Sequence, residues 1–261
     1  MVFEFLFKSK EKKARCKSLV TTLHEDMVKI AEGSYLMGSN EGEDDERPIH
    51  NVIVDSFFLA KHEITQQQWV EIMETQPWKD LEYVREGDNY PAVNVTWYDV
   101  KQFIRKLNLI SGEHFRLPTE AEWEYACRAG SNTKYAHGSL KMGLAHYAWF
   151  YDNAFKKDER YAHEVGTLKP NKWELFDMMG NVYEWCSDWY SRNYYNKCPV
   201  NNPQGPLYGK YKVVRGGDWS LTDYFLRVAS RRYYSPHFKD INLGFRLAMD
   251  MEKTKKQNTK D

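Results

Sequence analysis

Four cysteines, eight histidines and an aromatic run near the end are what this 261-residue chain offers to chemistry. A redox-active thiol needs a second thiol or a base close by, and a zinc knuckle needs paired cysteines. Cys16, Cys127, Cys186 and Cys198 form no CxxC pair, which speaks against both a thioredoxin-like couple and a zinc knuckle. Reduced thiols are the expectation; a Cys186–Cys198 bridge belongs only to an exported chain. The histidines form no HxxxH or HxH pair to hold iron or copper, and rings such as His50 and His146 read as packed or solvent-facing. The aromatic run differs in kind. Ser220–Asn242 is rich in Ser, Asp, Tyr, Phe, His, Ile and Asn. Tyr224, Phe225, Tyr233, Tyr234, His237 and Phe238 within it are side chains that supply contact area at low entropy cost. That is the chemistry of recognition more than of bond making.

The elements that position these residues are legible in the first half. Met27–Met37 alternates as a strand ending at Gly38, and Val52–Leu59 reads as a second strand. Thr65-Gln-Gln-Gln68, Thr96–Asp99 and Thr119–Glu122 are three capping boxes, in which a Thr hydroxyl meets the N3 amide while the N3 side chain reaches back. They predict a helix through Trp69 and Met73, a second to about Ile110 with a stop at Gly112, and a third ending near Gly130. Arg116 is spaced to pair with Glu122 or Glu124 across the start of the third. From about residue 131 periodicity fades into Gly, Asn, Pro and aromatic residues, which predicts short strands within long loops. Loops of that length call for a tie, and a metal is one candidate.

Composition bounds the rest. The chain is 42% hydrophobic and 15% aromatic, with nine Trp and 18 Tyr, enough for a sizeable core. Its 37 basic and 37 acidic residues cancel, so no global field draws nucleic acid or an anionic membrane, and neither is expected as a partner. No stretch reaches the ~20 apolar residues of a membrane helix, and no signal peptide is visible, which makes a cytoplasmic location the expectation. Residues 1–26 carry a basic cluster (Lys8, Lys10, Lys12, Lys13, Arg15, Lys17) and read as a leader helix or mobile arm. Residues 251–261 read as a polar tail.

Eight motifs follow one another in a recognisable order. They are Gly33-Ser-Tyr-Leu-Met-Gly-Ser39, Glu46-Arg-Pro-Ile-His50, Lys61-His-Glu-Ile-Thr65, Pro91-Ala-Val-Asn-Val-Thr-Trp97, FRLPTEAEWEYA (Phe115–Ala126), FDMMGNVYEW (Phe176–Trp185), Val214-Arg-Gly-Gly-Asp-Trp219 and Gly244-Phe-Arg246. Over roughly residues 27–250 this succession resembles the formylglycine-generating-enzyme, or sulfatase-modifying-factor, domain family. The resemblance implies an α+β, C-type-lectin-like fold with few regular elements and long loops.

The resemblance also implies a structural calcium at the GNVYEW turn. Its ligands carry over to the Asp177 side chain, the Gly180 and Val182 carbonyls and the Glu184 carboxylate, a hard-oxygen set that suits Ca²⁺. Asp177 stands where some relatives have Asn. The alternative for Glu184 is a plain ion pair with an arginine. The family's oxidases bind copper(I) and substrate through two cysteines after the RGGSW-type turn. Those positions fall near Leu221 and Leu226 here, so no copper site is expected and formylglycine synthesis is disfavoured. What remains is a non-catalytic domain that binds a protein or peptide ligand. One form of it is the variable protein of a diversity-generating retroelement, whose relatives share this fold and vary their C-terminal stretch. The expected recognition face runs from Trp219 to Phe238, through Tyr224, Phe225, Arg231, Tyr233, Tyr234 and His237.

Overall fold

The computed structural model describes residues 17–251. All three capping boxes form. Thr65, Thr96 and Thr119 each accept a bond from the amide three residues on, and Gln68, Asp99 and Glu122 each reach back to the cap amide. Losing such a cap costs about 1 kcal/mol. They open α2 (Gln66–Met73), α3 (Trp97–Ser111) and α4 (Glu120–Arg128), which follow a first helical stretch, α1, over 17–25. The C-cap of α3 is Gly112, as expected; that of α4 is Ala129, left-handed at φ 44°, one residue ahead of Gly130. Residues 17–25 fall within the stretch read as a leader, yet Leu19 and Leu23 are buried in one cluster with Phe103, Leu107 and Phe115. The basic positions 8–15 and the tail from 252 lie outside the described residues.

The two strands expected from alternation each break into two. Met27–Met37 becomes β1 (Met27–Ile30) and β2 (Gly33–Met37), and the second run becomes β3 (His50–Val54) and β4 (Phe57–Ala60). β1 pairs with β4 and β2 with β3, both antiparallel, so one long hairpin is bent at a shared corner into two sheets. The buried positions slip by one residue at the corner, from Ile30 to Tyr35 and from Val54 to Phe57, across Glu32 and Asp55-Ser56. β4 goes on to pair with β10 (Ala248–Asp250), which pairs with β5 (Phe115–Arg116), giving the order β1-β4-β10-β5. A second four-stranded sheet, β8-β7-β6-β9, is built from the loop-rich half: β6 (Tyr183–Trp189), β7 (Lys212–Arg215), β8 (Arg232–Tyr234) and β9 (Leu243–Gly244).

What ties this second half down is largely ionic. α4 presents Glu120, Glu122 and Glu124, all buried, to arginines from elsewhere in the chain. Arg231 bonds both oxygens of Glu120 at 2.7 and 2.8 Å. Arg116 bonds both oxygens of Glu122 at 2.6 and 2.7 Å, settling the pairing that the spacing left open. Glu124 accepts from Arg128 at 2.7 and 2.9 Å and from Arg215, while also taking the Gly38 amide. Arg227 holds the Glu46 carboxylate at 2.6 and 2.7 Å. Removing one member of a buried pair leaves its partner uncompensated at about 3–5 kcal/mol. The Gly216-Gly217 step between β7 and the aromatic run needs positive φ at both residues, 100° and 78°. A Cβ on Gly217 would meet the Leu226 side chain at 2.9 Å.

Candidate functional site

The GNVYEW turn is locked by its own backbone. Asp177, Gly180 and Asn181 are left-handed (φ 55°, 79° and 57°), and a Cβ at Gly180 would collide with the Trp149 carbonyl. Asn181 ties three segments together: its Oδ1 accepts from the His163 amide at 2.8 Å, while its Nδ2 donates to Glu63 Oε1 at 3.2 Å and to the His163 carbonyl at 3.3 Å. Glu184, on β6, accepts two bonds of 2.7 Å from Arg246 and one of 2.9 Å from the Trp123 indole. The arginine pair expected as the alternative for Glu184 is therefore present.

Arg246 faces more negative charge than it neutralises. Asp177 Oδ2 accepts from the Gly166 amide at 2.7 Å, but its buried Oδ1 has no partner, and neither does Oε2 of the fully buried Glu63. Burial is the main force raising the Asp177 carboxyl, to about 6; Glu184 adds to it, against the Gly166 amide and Arg246. Glu63 is raised well above the carboxylate range by burial first and by Asp177 next, with Arg246 opposing. Three carboxylates thus share one guanidinium. Such a set fits a hard cation by charge and by its orphaned oxygens. Among the described residues no three His, Cys, Asp or Glu side chains are grouped so as to hold a metal by themselves. A cation here depends on the carbonyls of Gly180 and Val182. Glu63 was not singled out from the sequence; the only hint was its place inside Lys61-His-Glu-Ile-Thr65.

The two positions of the oxidase cysteines are closed to thiol chemistry. Leu221 is half-buried and packs against both core clusters, and Leu226 is fully buried. Trp219, 3% exposed, stacks on Phe155 at 6.0 Å. Beside it Asp218 is buried, takes the Ser220 amide and hydroxyl at 2.8 and 2.6 Å, and is pushed up to about 6, mainly by burial. Cys127, Cys186 and Cys198 are free, but burial raises all three thiols, Cys127 to about 12 and Cys198 to about 11.

The predicted recognition residues separate into three groups. Tyr233, Tyr234, His237 and Phe238 lie on and just after β8, the edge strand of its sheet, with Tyr233 on one side of the strand and Tyr234 on the other. Tyr234 stacks on Phe238 at 4.4 Å, Tyr233 stacks on Tyr190 at 3.8 Å, and His237 lies 4.8 Å from Tyr98. Tyr233 and Phe238 keep 40% and 36% of their surface in solvent, and Tyr98 45%. Tyr224 and Phe225 form a separate edge-to-face pair, with the Tyr224 hydroxyl donating to Glu43 at 2.8 Å. Trp219 and Arg231 are not on a surface. Arg231 is 6% exposed because Glu120 and the Asp45 carbonyl at 2.7 Å consume its donors. Tyr98 joins His237 on one patch, and Tyr190 and Tyr211 join Tyr233 on the other, without any signal in the aromatic run itself.

Residues 12–251 match the Sulfatase-modifying factor enzyme 1-like domain family. A serine/threonine-protein kinase, pkn1, of Chlamydia pneumoniae is 34% identical over 251 residues, 87% of this chain and 38% of that protein. The chain therefore spans well under half the length of such relatives. The formylglycine-generating enzyme of Streptomyces coelicolor is 36% identical over 177 residues, 64% of this chain and 54% of the enzyme. Among solved structures, Treponema denticola variable protein 1 superposes with a TM-score of 0.78 at 28% identity, covering 86% of this chain and 95% of its own. The fold is the C-type-lectin-like one of these proteins.

Proposed function

The chain belongs to the Sulfatase-modifying factor enzyme 1-like domain family, and from that premise we propose that it is a non-catalytic, calcium-stabilised member that binds a protein or peptide ligand. One observation carries the reading: the positions to which the resemblance carries the oxidases' cysteines fall near Leu221 and Leu226, no cysteine follows Cys198, and Leu226 is buried in the core. A leucine neither ligates copper(I) nor exchanges with a thiol. Kinase activity, which the chlamydial relatives' name implies for those longer proteins, is not part of the proposal. The ligand sits across the exposed edge at β8, on Tyr234, His237, Phe238 and Tyr98 to one side and Tyr233 to the other, where rigid, amphipathic rings of the kind enriched at binding hot spots lie exposed or half-buried. Calcium is held by Asp177, the Gly180 and Val182 carbonyls and Glu184, with Glu63 as a further carboxylate facing it. Bound there, it supplies the charge that Arg246 alone does not. Free thiols at Cys127, Cys186 and Cys198 support a cytoplasmic location.

Panning a displayed peptide library against the protein tests the face. Binders are expected to lose affinity for a Tyr233→Ala/Phe238→Ala variant that melts like the parent. Binders indifferent to that change would move the site elsewhere. A second reading has its own support in the likeness to Treponema denticola variable protein 1: residues 220–242 are diversified by a retroelement. A reverse-transcriptase gene and an adenine-rich template repeat beside the coding sequence are then expected; their absence removes this reading and leaves the first intact.

A further inference from the structure

Away from the turn, and bordering the tyrosine face through the Lys212–Tyr234 strand pair, a cleft of about 1180 Å³ opens between the first four-stranded sheet and the loop before β7. Lys212, the first residue of β7, lies on its floor. Six cationic side chains are buried among the described residues: Arg128, Lys212, Arg215, Arg227, Arg231 and Arg246. Each of the five arginines forms a salt bridge to a carboxylate. Lys212 has none. Its ammonium is 4.0 Å from the centre of the Trp97 ring and 3.8 Å from that of Trp189, and it donates one bond of 2.7 Å to the Ser187 carbonyl. The two indoles soften the loss of water around the charge, but they accept no ordinary hydrogen bond, and an ammonium has three donors. Burial, with repulsion from Lys101 and partial relief from Asp188, pulls this amine down to about 8. A buried cation without a counter-ion, on the floor of an open cleft, is a site for an anion.

The walls narrow the kind of anion. Arg116, which also lines the cleft, is spent on Glu122 and on Asp250 at 2.7 Å. Glu32 and Asp55 add exposed negative charge along the rim, against Lys101. That surplus repels an anion in proportion to its charge, so a dianion such as phosphate is disfavoured more than a monoanion. The rim also carries Pro206 and Leu207, the latter 96% exposed, an apolar side chain with nothing over it. We propose that this cleft binds a small amphipathic monocarboxylate, its carboxylate on the Lys212 ammonium and its apolar body along Pro206 and Leu207. This site adjoins the proposed ligand face, since Lys212 pairs with Tyr234 and Trp97 touches Tyr98, but it does not rest on that reading.

Titrating ¹⁵N-labelled protein with hexanoate, hexan-1-ol and inorganic phosphate, and following the indole N–H signals of Trp97 and Trp189, tests it. Hexanoate is expected to shift both signals saturably. Hexanol is expected to bind at least about tenfold more weakly, the factor that 1.4 kcal/mol represents. Lys212→Met should abolish the preference for hexanoate over hexanol. Leu207→Ser, a change at an exposed side chain, should weaken hexanoate binding and leave the melting temperature unchanged, so the test stands even if the Lys212 variant fails to fold. Equal binding of hexanol, a stronger response to phosphate, or no saturable shift with hexanoate each overturns the proposal.

Discussion

Two regions of this molecule bury charge, and they do it differently. Around α4, each of Glu120, Glu122 and Glu124 has a guanidinium on it, and Arg116, Arg128, Arg215 and Arg231 are consumed in return. At the GNVYEW turn, Glu63, Asp177 and Glu184 share Arg246, and two carboxylate oxygens are left without a partner. The first region pairs every one of its carboxylates, leaving only the donor Arg215 Nε without a hydrogen bond, and works as scaffold. The second is incomplete, with raised carboxyls and a surplus of negative charge, as expected of a place where folding and a cation are coupled. Buried charge alone does not distinguish structure from site. Its balance does.

The largest effect is expected where the balance is complete. Arg215→Met removes one of the two guanidiniums on Glu124, leaving Arg128, and takes away the donor to the Ser230 carbonyl and the charge 3.7 Å from Glu120. It should cost about 3–5 kcal/mol, or roughly 10 °C in melting temperature for a domain of this size. A loss below about 1 kcal/mol, the level of an ordinary substitution, would show that the network is not the tie described.

At the turn the expected effects are smaller and depend on conditions. Calcium at about 100 times its Kd should add about 2.7 kcal/mol, read as a higher melt in Ca²⁺ than in EGTA. Because the folded-state values of Asp177 and Glu63 lie above the ordinary ones, their contribution is fully present below about pH 4 and is lost as pH rises through about 6 and beyond. The EGTA melts should therefore fall from pH 5 to pH 7.5, and calcium should restore more at pH 7.5. Asp188, raised to about 7 mainly by burial, pushes the same way and lies outside the turn, so some slope should persist with calcium. Glu63→Gln should raise the EGTA melt at pH 7.5 and shrink the response to calcium. The opposite signs would remove Glu63 from the site.

The smallest effect is expected at the tyrosine face. Tyr233→Ala and Phe238→Ala remove exposed rings and should change stability by only about 0.5 kcal/mol each, by chemical denaturation. A loss of several kcal/mol would make them core and not paratope.

The capping boxes were readable because their chemistry is local, with partner and cap three residues apart. The bend that divides the hairpin was not read, although the inward positions shift by one residue there, because a single slip in a short apolar run is easily taken as one strand. Asp177 and Glu184 came from the family resemblance. Glu63 escaped notice because it meets this turn only through contacts more than a hundred residues apart, such as its bond from Asn181. Arg231 and Trp219 were placed on the recognition face by proximity in sequence. The carboxylate that claims Arg231 lies 111 residues earlier, and no pattern within 220–242 announces it.

Whether this chain binds without oxidising is tested most directly by incubating the copper-supplied protein with oxygen and a CxPxR peptide, then weighing the peptide by mass spectrometry. The leucines at 221 and 226 predict an unchanged cysteine mass. A mass loss matching conversion of that cysteine to an aldehyde would contradict the account.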